Sequence, residues 1–419
     1  MRVVLPLHAL PLLTVAASAA IALQRPQAPL LHHLSTDATR NISSAVFLEL
    51  EELARLVDIT YCISAASPGI LPPFHCLSRC ADFPALSLVR TWATHLHSPL
   101  TDSCGYIARD DSTRRLVIAF RGTYSFTNVL ADLSTQPQEY EPYPGASADG
   151  DGPRCRNCTV HTGFQYSWQR TREAIMEDLE AQVRRYPAYR LHLVGHSLGG
   201  AVAALAGLDC LARGWDPVVT TFGEPKLGNG GLAAYVDERF NLTSLHGRGV
   251  RDGGDEHDHD ARRQHFRRVT HRDDPVPLLP LTEWNYVPHA GEIFIDKPAL
   301  SPDVSDVRLC AGDVDPACSA SQDDTLLGGP HDSTAAAGSR LRRGERKRDL
   351  PWSRDVKMHT IFGESQWGIP TRYRFWNLLE AHRDYFWRLG ICVPGGDRTG
   401  GGGGKYGRMR SEDAGTGSN

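Results

Sequence analysis

The chain has 419 residues, 41% hydrophobic and 22% charged, with a formal net charge of -4. That is ordinary globular composition, long enough for one large α/β domain. The slight negative balance gives no electrostatic basis for binding nucleic acid or an anionic surface.

The first residues read as a secretory signal over residues 1–22: Arg2 is basic, residues 3–15 are apolar, and small residues follow at 17–22. Pro6 and Pro11 interrupt this run, which argues against a membrane span. Ten cysteines behind such a signal imply an oxidising compartment and disulfides. Sequons at Asn41, Asn157 and Asn241 fit secretion. Asn41 and Asn241 are the expected glycosylation sites, because the Asn157 sequon contains a cysteine expected to be bridged.

Residues 23–40 are Pro- and His-rich, the pattern of a propeptide or flexible arm. The main domain is expected over 41–395. Residues 43–58 repeat apolar side chains at helical spacing. Residues 104–110 and 115–121 predict two strands joined by a polar turn, the second nearly all apolar as in a strand buried on both faces. Residues 124–136 predict a short mixed helix, and 165–185 a charged amphipathic one ended by Pro187. Residues 218–222 predict a further strand. Strands alternating with helices imply a mainly parallel sheet flanked by helices. Residues 246–263 and 321–350 read as exposed inserted loops, and 396–419 as a Gly-rich disordered tail.

The stretch with the most chemical content is residues 191–213. An apolar strand runs into Gly195-His196-Ser197-Leu198-Gly199, and an Ala- and Leu-rich helix follows. In that context G-x-S-x-G is a nucleophile elbow. The two glycines let strand and helix approach closely, and the helix N-terminus favours negative charge beside Ser197. An acid is expected after the serine and a histidine after the acid. Asp273 and Asp274, before Pro275, are candidates for the first, and a plain surface turn explains them equally well. Among 18 histidines, His382 and His359 stand out by their neighbours.

These segments together resemble the secreted fungal lipases of the class 3 lipase family, which also holds feruloyl esterases. The resemblance is carried by Tyr61-Cys62, Phe120-Arg121-Gly122-Thr123, Asn128 with Ala131-Asp132-Leu133, Cys155 and Cys158 with His161 and Phe164, the Ser197 elbow, residues 222–229, Asp274-Pro275-Val276-Pro277, and residues 381–392. It implies an α/β-hydrolase fold with a short lid-like helix. It also implies a triad of Ser197, Asp274 and His382, and an oxyanion hole at Thr123 and Leu198. Tyr61 and His196 are the implied substrate contacts. The lid would be residues 124–136, with Phe126, Val129, Leu130 and Leu133 on its apolar side. Val129 departs from the Trp often found there, and Glu224 from the usual small residue. The implied disulfides are Cys62–Cys392, Cys76–Cys80, Cys155–Cys158 and Cys310–Cys318. Cys104 and Cys210 are left as buried thiols or a pair of their own.

The expected activity is that of a secreted serine ester hydrolase, first a triacylglycerol lipase releasing fatty acids through an acyl-enzyme on Ser197. A feruloyl or other soluble-ester esterase and a phospholipase A1 are alternatives on the same triad. An inactive lipid-binding relative is a fourth, opposed by the intact triad positions. Lipid or another ester at an interface is the expected partner, with transient contact to a membrane or droplet. The chemistry calls for no cofactor and no metal. His257 and His259 in the acidic run 255–260 could ligate an ion, but the run reads more simply as a solvated loop. Nothing in the sequence sets the oligomeric state.

Overall fold

The computed structural model describes residues 41–63, 69–94, 103–123, 137–143, 155–242, 264–322 and 381–397. Outside them lie the signal and arm segments, the whole lid segment with Phe126, Val129, Leu130 and Leu133, the 246–263 insertion, His359, nearly all of 321–350 and most of the tail.

Helix α1 (Ser44–Ile59) starts where Ser43 caps it, the Ser43 hydroxyl accepting from Val46 N at 3.2 Å. Its buried stripe of Val46, Phe47, Leu50, Leu53, Ala54 and Val57 carries the periodicity read from the sequence. Strands β1 (Leu86–Ala93), β2 (Cys104–Asp110) and β3 (Arg115–Phe120) form an antiparallel meander. The β2–β3 turn is closed by Asp110, whose Oδ1 accepts from the Ser112 and Thr113 amides at 3.0 and 3.2 Å. Short strands β4 (Pro137–Glu139) and β5 (Thr159–His161) pair separately.

From there the chain alternates. Helix α2 (Thr162–Arg185) leads to β6 (Arg190–His196), α3 (Leu198–Ala212), β7 (Pro217–Phe222), α4 (Gly230–Arg239) and β8 (Phe266–His271). Strands β9 (Glu292–Ile295) and β10 (Val307–Leu309) complete an eight-stranded sheet of order β1-β2-β3-β6-β7-β8-β9-β10. The pairs from β3 to β9 are parallel, and both edges are antiparallel. Two-residue strands β11 (Asp384–Tyr385) and β12 (Trp387–Arg388) form a hairpin near the end of the described chain.

Alternation along the strands divides the core. Leu116, Ile118 and Phe120 of β3 face the side packed with residues of α2, α3 and α4. Val117 and Ala119 face the side packed with α1 and the 385–389 hairpin. Helix α3 is buried from Leu198 through Cys210, and every residue of that span except Asp209 is apolar. Fully covered central strands of this kind are what a parallel sheet requires.

The structure joins Cys62–Cys392, Cys76–Cys80, Cys155–Cys158 and Cys310–Cys318. Cys104 and Cys210 are buried on opposite faces of the sheet, which rules out a bridge between them. Asn41 and Asn241 are exposed, and so is Asn157 inside the Cys155–Cys158 loop. The described residues run past residue 395: Asp397 bridges to Arg388 and pairs with Arg383 at 2.9 Å.

Candidate active site

Strand β6 ends at His196, and Ser197 takes φ 57°, ψ -129° before α3 begins. A non-glycine residue holds such a conformation only where its surroundings enforce it. Here the enforcement is steric. A Cβ on Gly195 would lie 2.1 Å from Gly199 O, and one on Gly199 would lie 2.4 Å from Phe120 O. Strand β6, the start of α3 and the end of β3 therefore meet at backbone contact. Ser197 N donates to Phe222 O at 2.9 Å, which ties the elbow to the end of β7.

Ser197 Oγ is buried and makes no hydrogen bond among the described residues. The same holds for Thr123 Oγ1. Both hydroxyls are therefore available to a group arriving at the elbow. Gly122, the residue before Thr123, packs on the elbow: a Cβ there would lie 2.9 Å from Ser197 Cβ and 2.6 Å from Tyr61 Oη. Leu198 is the first residue of α3, so its N–H belongs to the helix-terminal donors that have no intrahelical partner.

The acid stands at the end of β8. Asp274 is buried and accepts from His382 Nδ1 at 2.9 and 3.0 Å, from Val276 N at 2.9 Å, and from the Tyr385 hydroxyl. Burial pushes its carboxyl up, but the His382 charge and these hydrogen bonds outweigh that and hold it below the ordinary carboxylate value. Asp273, at φ 67°, is exposed, and its N–H donates to Gln322 Oε1 at 3.0 Å. Of the two neighbouring carboxylates, the structure brings only Asp274 to His382. In the neutral form of His382, with Nδ1–H given to Asp274, the ring's lone pair is on Nε2.

Tyr61 and His196 sit behind the nucleophile. His196 Nε2 is 2.7 Å from the His382 carbonyl oxygen, which can only accept, so Nε2 carries the proton. Nδ1 then accepts from the Tyr61 hydroxyl at 2.6 Å. Burial, with the His382 charge second, drives the His196 pKa down to about 3. The ring is neutral, and both its nitrogens are committed to the protein rather than presented to a substrate. Its centroid lies 4.6 Å from that of His382.

Two features carried no role in the sequence reading. Tyr385 lies three residues after His382, a spacing that a two-residue strand turns toward Asp274. Glu224, noticed only as unusual, is buried against His289, its Oε1 lying 3.0 Å from the ring Nε2. The histidine partner lies 65 residues away, and no local pattern marks it.

Residues 117–284 match the family model for lipase (class 3). The chain is 45% identical over 417 residues to secreted mono- and diacylglycerol lipase 2 of Gibberella zeae, covering 94% of each chain. The protein belongs to the class 3 lipase family. Lipase A of Sodiomyces alcalophilus is also 45% identical, over 87% of this lipase and 86% of that one. Among solved structures, Lip2 lipase of Yarrowia lipolytica superposes with a TM-score of 0.62 at 26% identity, covering 84% of this lipase and 97% of that chain. A triacylglycerol lipase whose catalytic centre is formed by a serine protease triad matches with a TM-score of 0.51 at 26% identity, over 68% and 91% of the two chains. These relatives place this lipase among the α/β-hydrolases with a mainly parallel sheet.

Proposed function

We propose that this secreted carboxylic ester hydrolase releases fatty acids from acylglycerols through an acyl-enzyme on Ser197. One observation supports the reading above the rest. The buried Asp274–His382 pair, at 2.9 Å, packs on Gly223, next to the Phe222 carbonyl that accepts from Ser197 N on the elbow. His382 Nε2 takes the Ser197 proton as Oγ attacks the ester carbonyl, and Asp274 holds the ring and stabilises the imidazolium. The N–H groups of Leu198 and Thr123, with the Thr123 hydroxyl, receive the oxyanion. His382 then protonates the departing glycerol oxygen. Water, deprotonated by the same nitrogen, cleaves the acyl-enzyme and frees the acid.

Ser197 is 2% exposed and His382 0%. We assign residues 124–136, which carry apolar Phe126, Val129, Leu130 and Leu133, the role of a lid that opens against lipid. Mono- and diacylglycerols are the first substrates to try, because the relative from Gibberella zeae acts on them by name.

The test is hydrolysis of mono-, di- and triacylglycerols through their solubility limits, with methyl ferulate and phosphatidylcholine in parallel. Labelling by a fluorophosphonate, with the modified peptide sequenced, accompanies it. The expected result is labelling of Ser197 and a rate that jumps as acylglycerol droplets form. A preference for ferulate or for phospholipid would replace the substrate assignment, and labelling elsewhere would replace the triad.

A further inference from the structure

The turn after β7 touches all three members of the candidate triad. Phe222 O accepts from Ser197 N at 2.9 Å. Gly223, at φ 61°, packs so tightly that a Cβ there would lie 2.9 Å from His382 Cε1 and 3.0 Å from Asp274 Oδ2. A small shift of this turn therefore moves the acid–base pair relative to the nucleophile.

The next residue holds the turn. Glu224 is buried, and both carboxylate oxygens are used: Oε2 accepts from Thr221 Oγ1 at 2.6 Å, and Oε1 faces His289 Nε2 at 3.0 Å. The second ring nitrogen, His289 Nδ1, is 2.8 Å from Ala290 O. A carbonyl oxygen only accepts, so Nδ1 carries a proton, and a further proton lies between Nε2 and the carboxylate. From His289 the strut continues outward. Arg268 Nε on β8 donates to His289 O at 3.2 Å, and Ala290 N donates to Asp237 on α4 at 2.9 Å. On its inner side Glu224 packs against α3, where a Cβ on Gly200 would lie 3.3 Å from Glu224 Cβ.

Burying an acid with an imidazole is a weak source of stability, because desolvation offsets the attraction. It does fix geometry, since neither partner can leave without stranding the other. We propose that Glu224 and His289 are positioning residues for ester hydrolysis. Their pair fixes the 222–224 turn and so sets Ser197 against the Asp274–His382 pair, an inference that rests on the triad reading above.

The experiment uses the full-length enzyme and a soluble ester, p-nitrophenyl butyrate, so that no lipid interface enters. Measured are kcat, KM, the rate of inactivation by a fluorophosphonate, and Tm. Glu224→Ala and His289→Ala are expected to lower kcat by roughly 10- to 100-fold, the scale set by small misplacements of reacting groups. KM should stay within about twofold, and phosphonate inactivation should slow in parallel with kcat. The double variant should be no slower than the worse single one, because either change already breaks the strut. Glu224→Gln and His289→Gln each keep a hydrogen bond across the gap but not its geometry, so they should lower kcat less than the alanines, by about three- to fivefold. If the alanine variants do not fold, the glutamine variants decide: kcat lowered about threefold or more at unchanged KM supports the strut. A kcat within twofold of wild type in folded variants, with only Tm lowered, overturns it while leaving the triad intact. Wild-type enzyme that is not labelled at Ser197 overturns both readings.

Discussion

Asp274 has a feature that separates it from a merely buried acid: every hydrogen-bonding neighbour on it is a donor. His382 Nδ1, the Val276 amide and the Tyr385 hydroxyl all point at one carboxylate. An acceptor-only group surrounded by donors stays ionised, and it dictates the tautomer of the ring it holds. Asp274→Asn would set an NH2 or a single carbonyl oxygen against those three donors and disturb that tautomer. The expected loss in kcat is roughly 10²- to 10⁴-fold on a soluble ester, with the fold retained. Asp273→Asn should leave kcat within about twofold, since that side chain is exposed and turned away. The reverse order of effects would move the acid to Asp273. Adjacent aspartates show why local sequence left this choice open. Composition and turn chemistry treat them alike, and only the φ of 67° at Asp273 turns one outward and the other in. Likewise the chain's 18 histidines gave no local basis for choosing His382, whose partner is 108 residues away. The family resemblance supplied that register. It also implied that Tyr61 and His196 touch substrate; in the structure their polar atoms bond each other and the His382 carbonyl.

At the scale of elements, the elbow is fixed by backbone meeting backbone. A Cβ on Gly199 would lie 2.4 Å from Phe120 O and 2.7 Å from Arg121 O. No rotamer relieves a clash between main chains, so Gly199→Ala must push α3 from β3 or distort Ser197. Overpacking of this kind costs about 1–3 kcal/mol, and at this place it also moves the nucleophile. We expect Gly199→Ala to lower Tm by several degrees and activity by about 100-fold or more. Calorimetry and ester kinetics on one preparation check both, and an active variant of unchanged Tm would mean the elbow yields without strain. The central elements were legible for the reason that makes them rigid. Strands buried on two faces and a helix buried from Leu198 through Cys210 leave continuous hydrophobic runs, as in β3, β6 and α3. The sheet edges were not legible. Strand β1 mixes buried and half-exposed positions and shifts register between Leu88 and Arg90. Strands β9 and β10 have four and three residues, too few for a period to show. The expected lid and most of both insertions lie outside the described residues.

Across the whole molecule, the problem is to bring a histidine from residue 382 to a serine at 197 and hold it there. The segment 381–397 is fastened mainly to the beginning of the domain. Cys392 is bridged to Cys62, a separation of 330 residues, and the Arg79 guanidinium lies 4.3 Å above the Trp387 ring. Between these anchors, Asp58 of α1 accepts from Gly390 N at 2.9 Å and Ser78 Oγ at 3.3 Å, with Arg79 at 3.7 Å. Asp58 is fully buried, and burial outweighs these partners, so its pKa is pushed up to about 6. A carboxyl raised in the folded state binds its proton more tightly there than in the unfolded chain. Its contribution to stability is therefore fully present below the ordinary value of 3.8 and is lost as the pH rises through about 6. The shift corresponds to about 3 kcal/mol across that window. Asp58→Asn has no proton to take up, so the difference in unfolding free energy between wild type and variant should move by about 2 kcal/mol toward the wild type between pH 8 and pH 4. Comparing the two proteins cancels the many other carboxylates that titrate over the same range. Urea unfolding with the disulfides intact measures the difference directly. Parallel stability curves for the two proteins would mean that the anchor of the His382 segment carries no pH dependence of its own.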